Sequence, residues 1–320
     1  MNSISYGPVP SRRLGRSLGI NNIPPKICTY ACIYCQLGKT INMQVDRTAF
    51  YEPEKVAGAV TEQVKKVRAR GEEIDYLSFV PDGEPTLDIN LGREIELIRT
   101  LGIRIAIITN GSLIWCENVR DVLGRADWVS LKVDAVNREL WRRIDRPHKS
   151  LDLGAILDGM QKFAESFSGE LTTETMLIEG FNDGSREVEE IAGFLSRLNP
   201  SRAYIAIPTR PPARRDIRAA SESAINMAYQ VFSARMKKVE YLIGYEGNAF
   251  ASTGNVPDDL LGITSVHPMR EEAVAQFLAR AGEGWTVVQG LIDDGKLIEL
   301  EFQGKKFYMR KLPDRARAVK

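Results

Sequence analysis

The chain switches repeatedly between short runs rich in β-branched residues and longer stretches with an apolar residue at every third or fourth position. SLGIN (17–21), IDYLSFV (74–80), IRIAIIT (103–109), WVSLKVD (128–134), ELTTETMLI (170–178) and AYIAIP (203–208) read as strands. Helices are predicted over 53–70, where Val56, Val60, Val64 and Val67 share one face, and then up to about 101, 114–123 and 151–167. Another starts after the FNDGS turn, with Glu187 and Glu189 suited to its first turn, and one more is expected over 222–236 before the apolar run VEYLIGY (239–245).

Strand–helix units in series imply parallel strands with right-handed crossovers. Six such units predict either an open doubly wound sheet or a partial TIM-like (β/α)6 barrel occupying residues 1–250. Both architectures put chemistry in the loops at the C-terminal ends of strands. A cysteine-rich loop, GEPTL, TNG, KVD and PTRPP all fall there. After residue 254 the texture changes. Helical stretches at 269–281 and 286–294, followed by LIELEF, a QGKK turn and KFYMRK, outline a small winged-helix module over 256–312 with a basic tail at 313–320.

Composition adds little pull toward a partner. The 43 basic and 42 acidic residues nearly cancel, and no stretch has the apolar length of a signal peptide or membrane span, so a cytoplasmic protein with no membrane partner is expected. The region 256–320 carries ten basic and ten acidic residues, and WTVVQGLIDDG, at the position of a recognition helix, has no basic residue. DNA binding draws on phosphate neutralisation, so DNA is an unfavourable partner for this module.

The strongest local signal is CTYACIYC, where Cys28, Cys32 and Cys35 use three of the chain's four cysteines within eight residues. Structural zinc sites take four protein ligands in two separated pairs. A 4Fe–4S cluster held by three thiolates keeps one iron open for chemistry. Thiolates packed this closely repel one another unless a cation binds, so metal binding is predicted.

This CX3CX2C spacing, with Tyr34 before the last cysteine, resembles the signature of the radical S-adenosylmethionine (SAM) superfamily. The resemblance extends over about residues 15–245 and implies a partial barrel. It also implies a 4Fe–4S cluster on Cys28, Cys32 and Cys35, with SAM chelated by the open iron and cleaved to methionine and a 5′-deoxyadenosyl radical that abstracts hydrogen. Gly83, Glu84 and Pro85 resemble the motif that meets the SAM amino group, although Asp82 stands where the family has its first glycine. Ser130, Lys132 and Asp134 resemble its ribose-contacting strand end, and Asn110 lies in a TNG turn that recurs in such barrels. An external flavodoxin- or ferredoxin-type electron donor is implied.

GPVPSRRLGRSLGIN together with CIYCQLGKT resembles a poorly characterised branch of the superfamily with a winged-helix tail, distantly related to wyosine-base synthases. That makes tRNA or another RNA the first substrate expectation, with a peptide or a small metabolite as alternatives. The winged helix and the loop from Arg210 to Arg218 are the expected contacts for an RNA or protein substrate. The same arginines would otherwise pair with local acids.

Individual residues keep two readings. Lys132 either holds an anion or forms a Schiff base, or it pairs with Asp134 or Glu84. Glu174 shares a strand face with Thr172 and Met176 and needs a partner, for which SAM hydroxyls and Lys132 are the candidates. Cys116 is a hydrogen-atom donor or a packed helix cysteine. For the whole protein, the rivals to an enzyme are an iron–sulfur sensor acting through the winged helix and a zinc-binding structural protein.

Overall fold

The computed structural model describes residues 4–244, 250 and 254–311; the basic tail lies outside them. A hairpin of β1 (Ser5–Ser11) and β2 (Gly15–Ile20) opens the chain. The two-residue strands β3 (Ile27–Cys28) and β4 (Asn42–Met43) then pair with each other and close the base of the cysteine loop. Next come α1 (Pro53–Ala69), β5 (Tyr76–Phe79), α2 (Leu91–Arg99), β6 (Arg104–Thr109), α3 (Glu117–Leu123) and β7 (Trp128–Lys132). The barrel continues through α4 (Arg138–Ile144), α5 (Leu153–Ser166), β8 (Glu170–Met176), α6 (Ser185–Leu198), β9 (Arg202–Ala206), α7 (Glu222–Ser233) and β10 (Val239–Leu242).

One sheet runs β1-β2-β5-β6-β7-β8-β9-β10, parallel from β2 onward, and curls into a half-barrel. The apolar run after α7 supplies a seventh parallel strand beyond the six expected, because Val239 to Leu242 pair with Ala203 to Ala206. The antiparallel β1 is also additional to the expectation. Pro8 and Pro10 argue against a central strand, but β1 lies at the sheet edge, where a missing N–H need not break a ladder. From the turn of this hairpin, Arg12 donates to the carbonyls of Tyr241 and Gly244 and draws the two margins of the sheet together.

Helices pack outside the curl. Val56, Val60, Val64 and Val67 of α1 are all buried, and each contributes roughly 1.5–3 kcal/mol of transfer free energy. Inside the curl, Leu14 of the hairpin turn packs with Tyr76, Ala106, Trp128 and Tyr204 and fills one end of the barrel. No helix among the described residues is long and apolar enough to cross a membrane.

The C-terminal unit comprises α8 (Val256–Val266), β11 (Met269–Arg270), α9 (Glu271–Ala281), α10 (Thr286–Asp293), β12 (Leu297–Phe302) and β13 (Lys305–Arg310). Its antiparallel sheet runs β11-β13-β12, and its own core includes Leu260, Ile263, Phe277, Val288 and Tyr308. Met269 and Arg270, expected to open a helix, pair with Tyr308 and Phe307 instead. Val9 of β1 packs into this core and seats the unit against the barrel edge.

Candidate active site

The loop after β3 is shaped by backbone hydrogen bonds rather than regular structure. The Lys26 carbonyl accepts from Ile41 and Asn42, Ala31 donates to the Asp145 carbonyl, and Ile33 donates to that of Ile144. Lys26 has φ +65, a left-handed conformation that turns the chain into the loop. Cys28, Cys32 and Cys35 emerge on one wall of a cavity of about 300 Å³ at the C-terminal ends of the strands. Burial pushes the Cys28 thiol up to about 12, with the charges of Glu84 and Cys35 adding to the shift. Cys32 is also held well above the usual thiol range, by burial first and then by Asp145, Cys28 and Cys35.

Mutually close, partly buried thiols whose ionisation is opposed in this way lose their protons readily only when a cation compensates them. Among the described residues no three His, Cys, Asp or Glu side chains close round a single metal ion. Three soft donors spaced along one wall fit a polynuclear iron–sulfur group, and supply one thiolate fewer than a four-thiolate cluster site.

Glu84 projects from the loop after β5 and is fully buried. Its Oε1 accepts from Thr86 N, Thr86 Oγ1 and Thr109 Oγ1, and its Oε2 accepts from Asn110 N at 2.8 Å. The side chain therefore clasps the ends of β5 and β6 together. Asn110 Nδ2 reaches Cys28 Sγ at 3.6 Å and Thr29 Oγ1 at 2.8 Å. Gly83 is required by close approach, because a Cβ there would sit 2.0 Å from the Ile27 carbonyl oxygen.

Lys132 and Glu174 are register partners on β7 and β8, and their side chains pair at 2.8 Å. Arg13, from the hairpin turn, reaches the other Glu174 oxygen at 2.6 Å and lies 6.0 Å from the Trp128 and Tyr204 ring centroids. Burial opposes the Glu174 charge, but Lys132 and Arg13 outweigh it and hold the carboxyl down to about 2. Burial likewise opposes the Lys132 charge, and Asp134 and Glu174 overcome it, so the amine stays protonated. A protonated amine has no lone pair for Schiff-base attack; Lys132 is a fixed cation in this arrangement.

Behind the wall, the Tyr34 hydroxyl donates to Asp134 and lies 3.4 Å from Asp145 Oδ1, which the Cys32 thiol meets at 3.5 Å. Burial and then the neighbouring Asp134 hold Asp145 well above the usual carboxylate range.

The cavity thus gathers the three cysteines, Tyr34, Gly83, Glu84, Asn110, Lys132 and Glu174. It does not gather Ser130, Pro85, Asp134 or Cys116. Ser130 and Pro85 are buried outside its lining, and Asp134 is turned inward to Tyr34 and the Met176 amide. Cys116 precedes α3, where its thiol is raised by burial against the opposing charges of Arg47 and Arg120. A hydrogen donor must reach the radical, and this thiol is outside the cavity walls. In the 210–218 loop, Arg214 pairs with Asp216 while its amide donates to the Ile33 carbonyl, so the loop covers the cysteine segment. Arg13 and Asp145 were missed as site residues. SRRLG hinted at the first, but no local pattern marked the second.

A curled parallel sheet with three converging thiols at its strand ends defines a cofactor-dependent half-barrel enzyme fold. The chain belongs to the radical SAM superfamily, whose family model matches residues 22–195, and to the UPF0026 proteins. It is 46% identical over 319 residues to a UPF0026 protein of Methanocaldococcus jannaschii, covering 99% of each chain. Its fold resembles a radical SAM methyltransferase from Sphaerobacter thermophilus (TM-score 0.53, 18% identity, 70% of this chain and 66% of that one). It also resembles TYW1 with a lysine-pyruvate adduct bound (TM-score 0.51, 18% identity, 69% of this chain and 74% of that one). Membership implies a 4Fe–4S cluster and SAM.

Proposed function

We propose that this protein is a cytoplasmic radical SAM enzyme acting on RNA, with its 4Fe–4S cluster held by Cys28, Cys32 and Cys35 and SAM bound beside it. The observation that carries the reading is the set of three thiols on one cavity wall, with Cys28 and Cys32 held above the usual thiol range by burial first and then by neighbouring charges that include the other cysteines. When bound, the cluster and SAM supply reductive cleavage of the sulfonium to methionine and a 5′-deoxyadenosyl radical, which abstracts hydrogen.

The chain's own residues orient and enclose. The Asn110 amide steadies the Cys28 sulfur, and Gly83 lets the loop after β5 lie against the cysteine loop. Lys132, paired with Glu174, presents a permanent cation for the polar groups of SAM. Tyr34 and Asp134 hold the wall from behind, with Ser130 and Pro85 packed out of reach. Val80, Ile108 and Met176 give the cavity apolar surface that excludes water.

The resemblance to wyosine-base synthases supports the RNA substrate. A cavity of about 300 Å³ that also takes the cluster and SAM has no room for a duplex, so a base would have to be presented extruded at its mouth. We read the C-terminal helices and three-stranded sheet as a winged helix. The electron comes from an external flavodoxin- or ferredoxin-type protein, since Cys116 alone cannot hold a second cluster.

Anaerobic reconstitution tests the reading. Wild-type protein and Cys116→Ala should be brown and release 5′-deoxyadenosine from SAM under dithionite, whereas Cys28→Ala, Cys32→Ala and Cys35→Ala should not. A colourless zinc protein, or a brown one that leaves SAM intact, defeats it. Deuterium passing from labelled RNA into 5′-deoxyadenosine checks the substrate, and unlabelled product removes RNA as the hydrogen source.

A further inference from the structure

The C-terminal unit reaches both ends of the cysteine loop. At the tip, Gln36 follows Cys35, and its side-chain carbonyl accepts from Arg210 Nη1 at 2.8 Å. Arg210 Nη2 lies 2.9 Å from His267 Nε2 and 3.2 Å from Nδ1. Arg210 lines the cavity after β9, while His267 follows α8 in the C-terminal unit, buried against the Phe250 ring at 5.2 Å between centroids. One Nη2 this close to both ring nitrogens lies over the imidazole face, where the π cloud meets the guanidinium cation.

At the base, the Lys26 amide donates to the Asp82 carbonyl at 2.6 Å, and the two side chains lie 3.5 Å apart. Arg310 of β13 adds a second positive charge near this Asp82. The seat of α8 and Val9 against the barrel edge gives these contacts a fixed support.

We propose that His267, acting through Arg210, is a positioning residue of the cysteine loop, so that the C-terminal unit sets how firmly the cluster is gripped at Cys35. This rests on the reading that the three cysteines bind the cluster. Polar groups that orient metal ligands influence retention by about 10–100-fold, and Arg210 orients the segment carrying the third ligand.

The test uses full-length, reconstituted protein and follows iron loss to a ferrous chelator without SAM or substrate. Arg210→Ala and His267→Ala should each release iron about tenfold faster than wild type. The double variant should release it no faster than Arg210→Ala, because both break one linkage. His267→Phe, which keeps an aromatic face under the guanidinium, should restore slow release. Wild-type release rates in Arg210→Ala, additive effects in the double variant, or no rescue by phenylalanine would overturn the proposal. Should His267→Ala lose the fold of the C-terminal unit, Arg210→Ala still decides, since Arg210 lies outside that unit's core. A wild-type protein that takes up no iron would instead refute the cluster reading itself.

Discussion

Arg13 Nη1 donates to Glu174 Oε2 at 2.6 Å, joining the turn of the first hairpin to a strand 161 residues later. With Lys132 on the other oxygen, one carboxylate holds two cations inside the barrel. Glu174→Ala should cost about 3–5 kcal/mol, since it strands both charges in a buried site. Urea unfolding measures this, and near-wild-type stability would mean the cations relax to solvent. The carboxyl is depressed to about 2 from its ordinary 4.5. Its contribution is therefore complete above pH 4.5 and is lost as pH falls toward 2 in wild type, but not in the variant.

Asp88, which ends the turn that Glu84 opens, and Glu94 of α2 form a buried acid pair. Among the described residues no donor meets a Glu94 oxygen in good geometry, although the Asn22 amide lies beside it, so a proton shared with Asp88 is what satisfies the pair. Burial, with Asp88 adding to it, pushes Glu94 up to about 9. A raised carboxyl stabilises the fold below the unfolded value of 4.5 and loses that contribution as pH rises through about 9. Glu94→Gln should flatten this decline and raise the melting temperature more at about pH 8 than at about pH 5. An unchanged pH slope would count against the shared proton.

Tyr34 ties the cysteine loop to the end of β7. Tyr34→Phe leaves Asp134 with the Met176 amide at 2.7 Å, the neighbouring Asp145 carboxyl and a 3.5 Å ion pair to Lys132. A loss of about 1–3 kcal/mol is expected from iron-free protein in urea. A neutral outcome would show that Asp134 is adequately satisfied without the hydroxyl.

Gly83→Ala places a methyl 2.0 Å from the Ile27 carbonyl, where backbone must move. The barrel should persist by circular dichroism while iron per chain drops after reconstitution. Gly193→Ala, on α6 with nothing within 4 Å of the new methyl, is the control and should gain about 0.5–1 kcal/mol. Equal iron content in the two proteins would refute the role of this approach.

The strand–helix alternation was legible because each element buries an apolar face with its own period, as in the four valines of α1. The helix α4 was not among the predicted elements. The strand β1 escaped because its prolines obey an edge rule that applies only once the sheet order is known. Cys28, Cys32 and Cys35 were legible from spacing alone, since a loop of eight residues keeps its thiols close in any fold.

The amino-acid order by itself determined most of the barrel's elements, their parallel succession and the cysteine set, because local period and short loops carry that information. It could not determine which charges meet. That Glu174 takes Arg13 as well as Lys132, that Asp134 turns to Tyr34 and away from the cavity, and that His267 stands behind Arg210 were decided by the curl of the sheet and the docking of the last unit. A buried ion has to find its counter-charge in space, and only chain closure brings together residues a hundred or more positions apart.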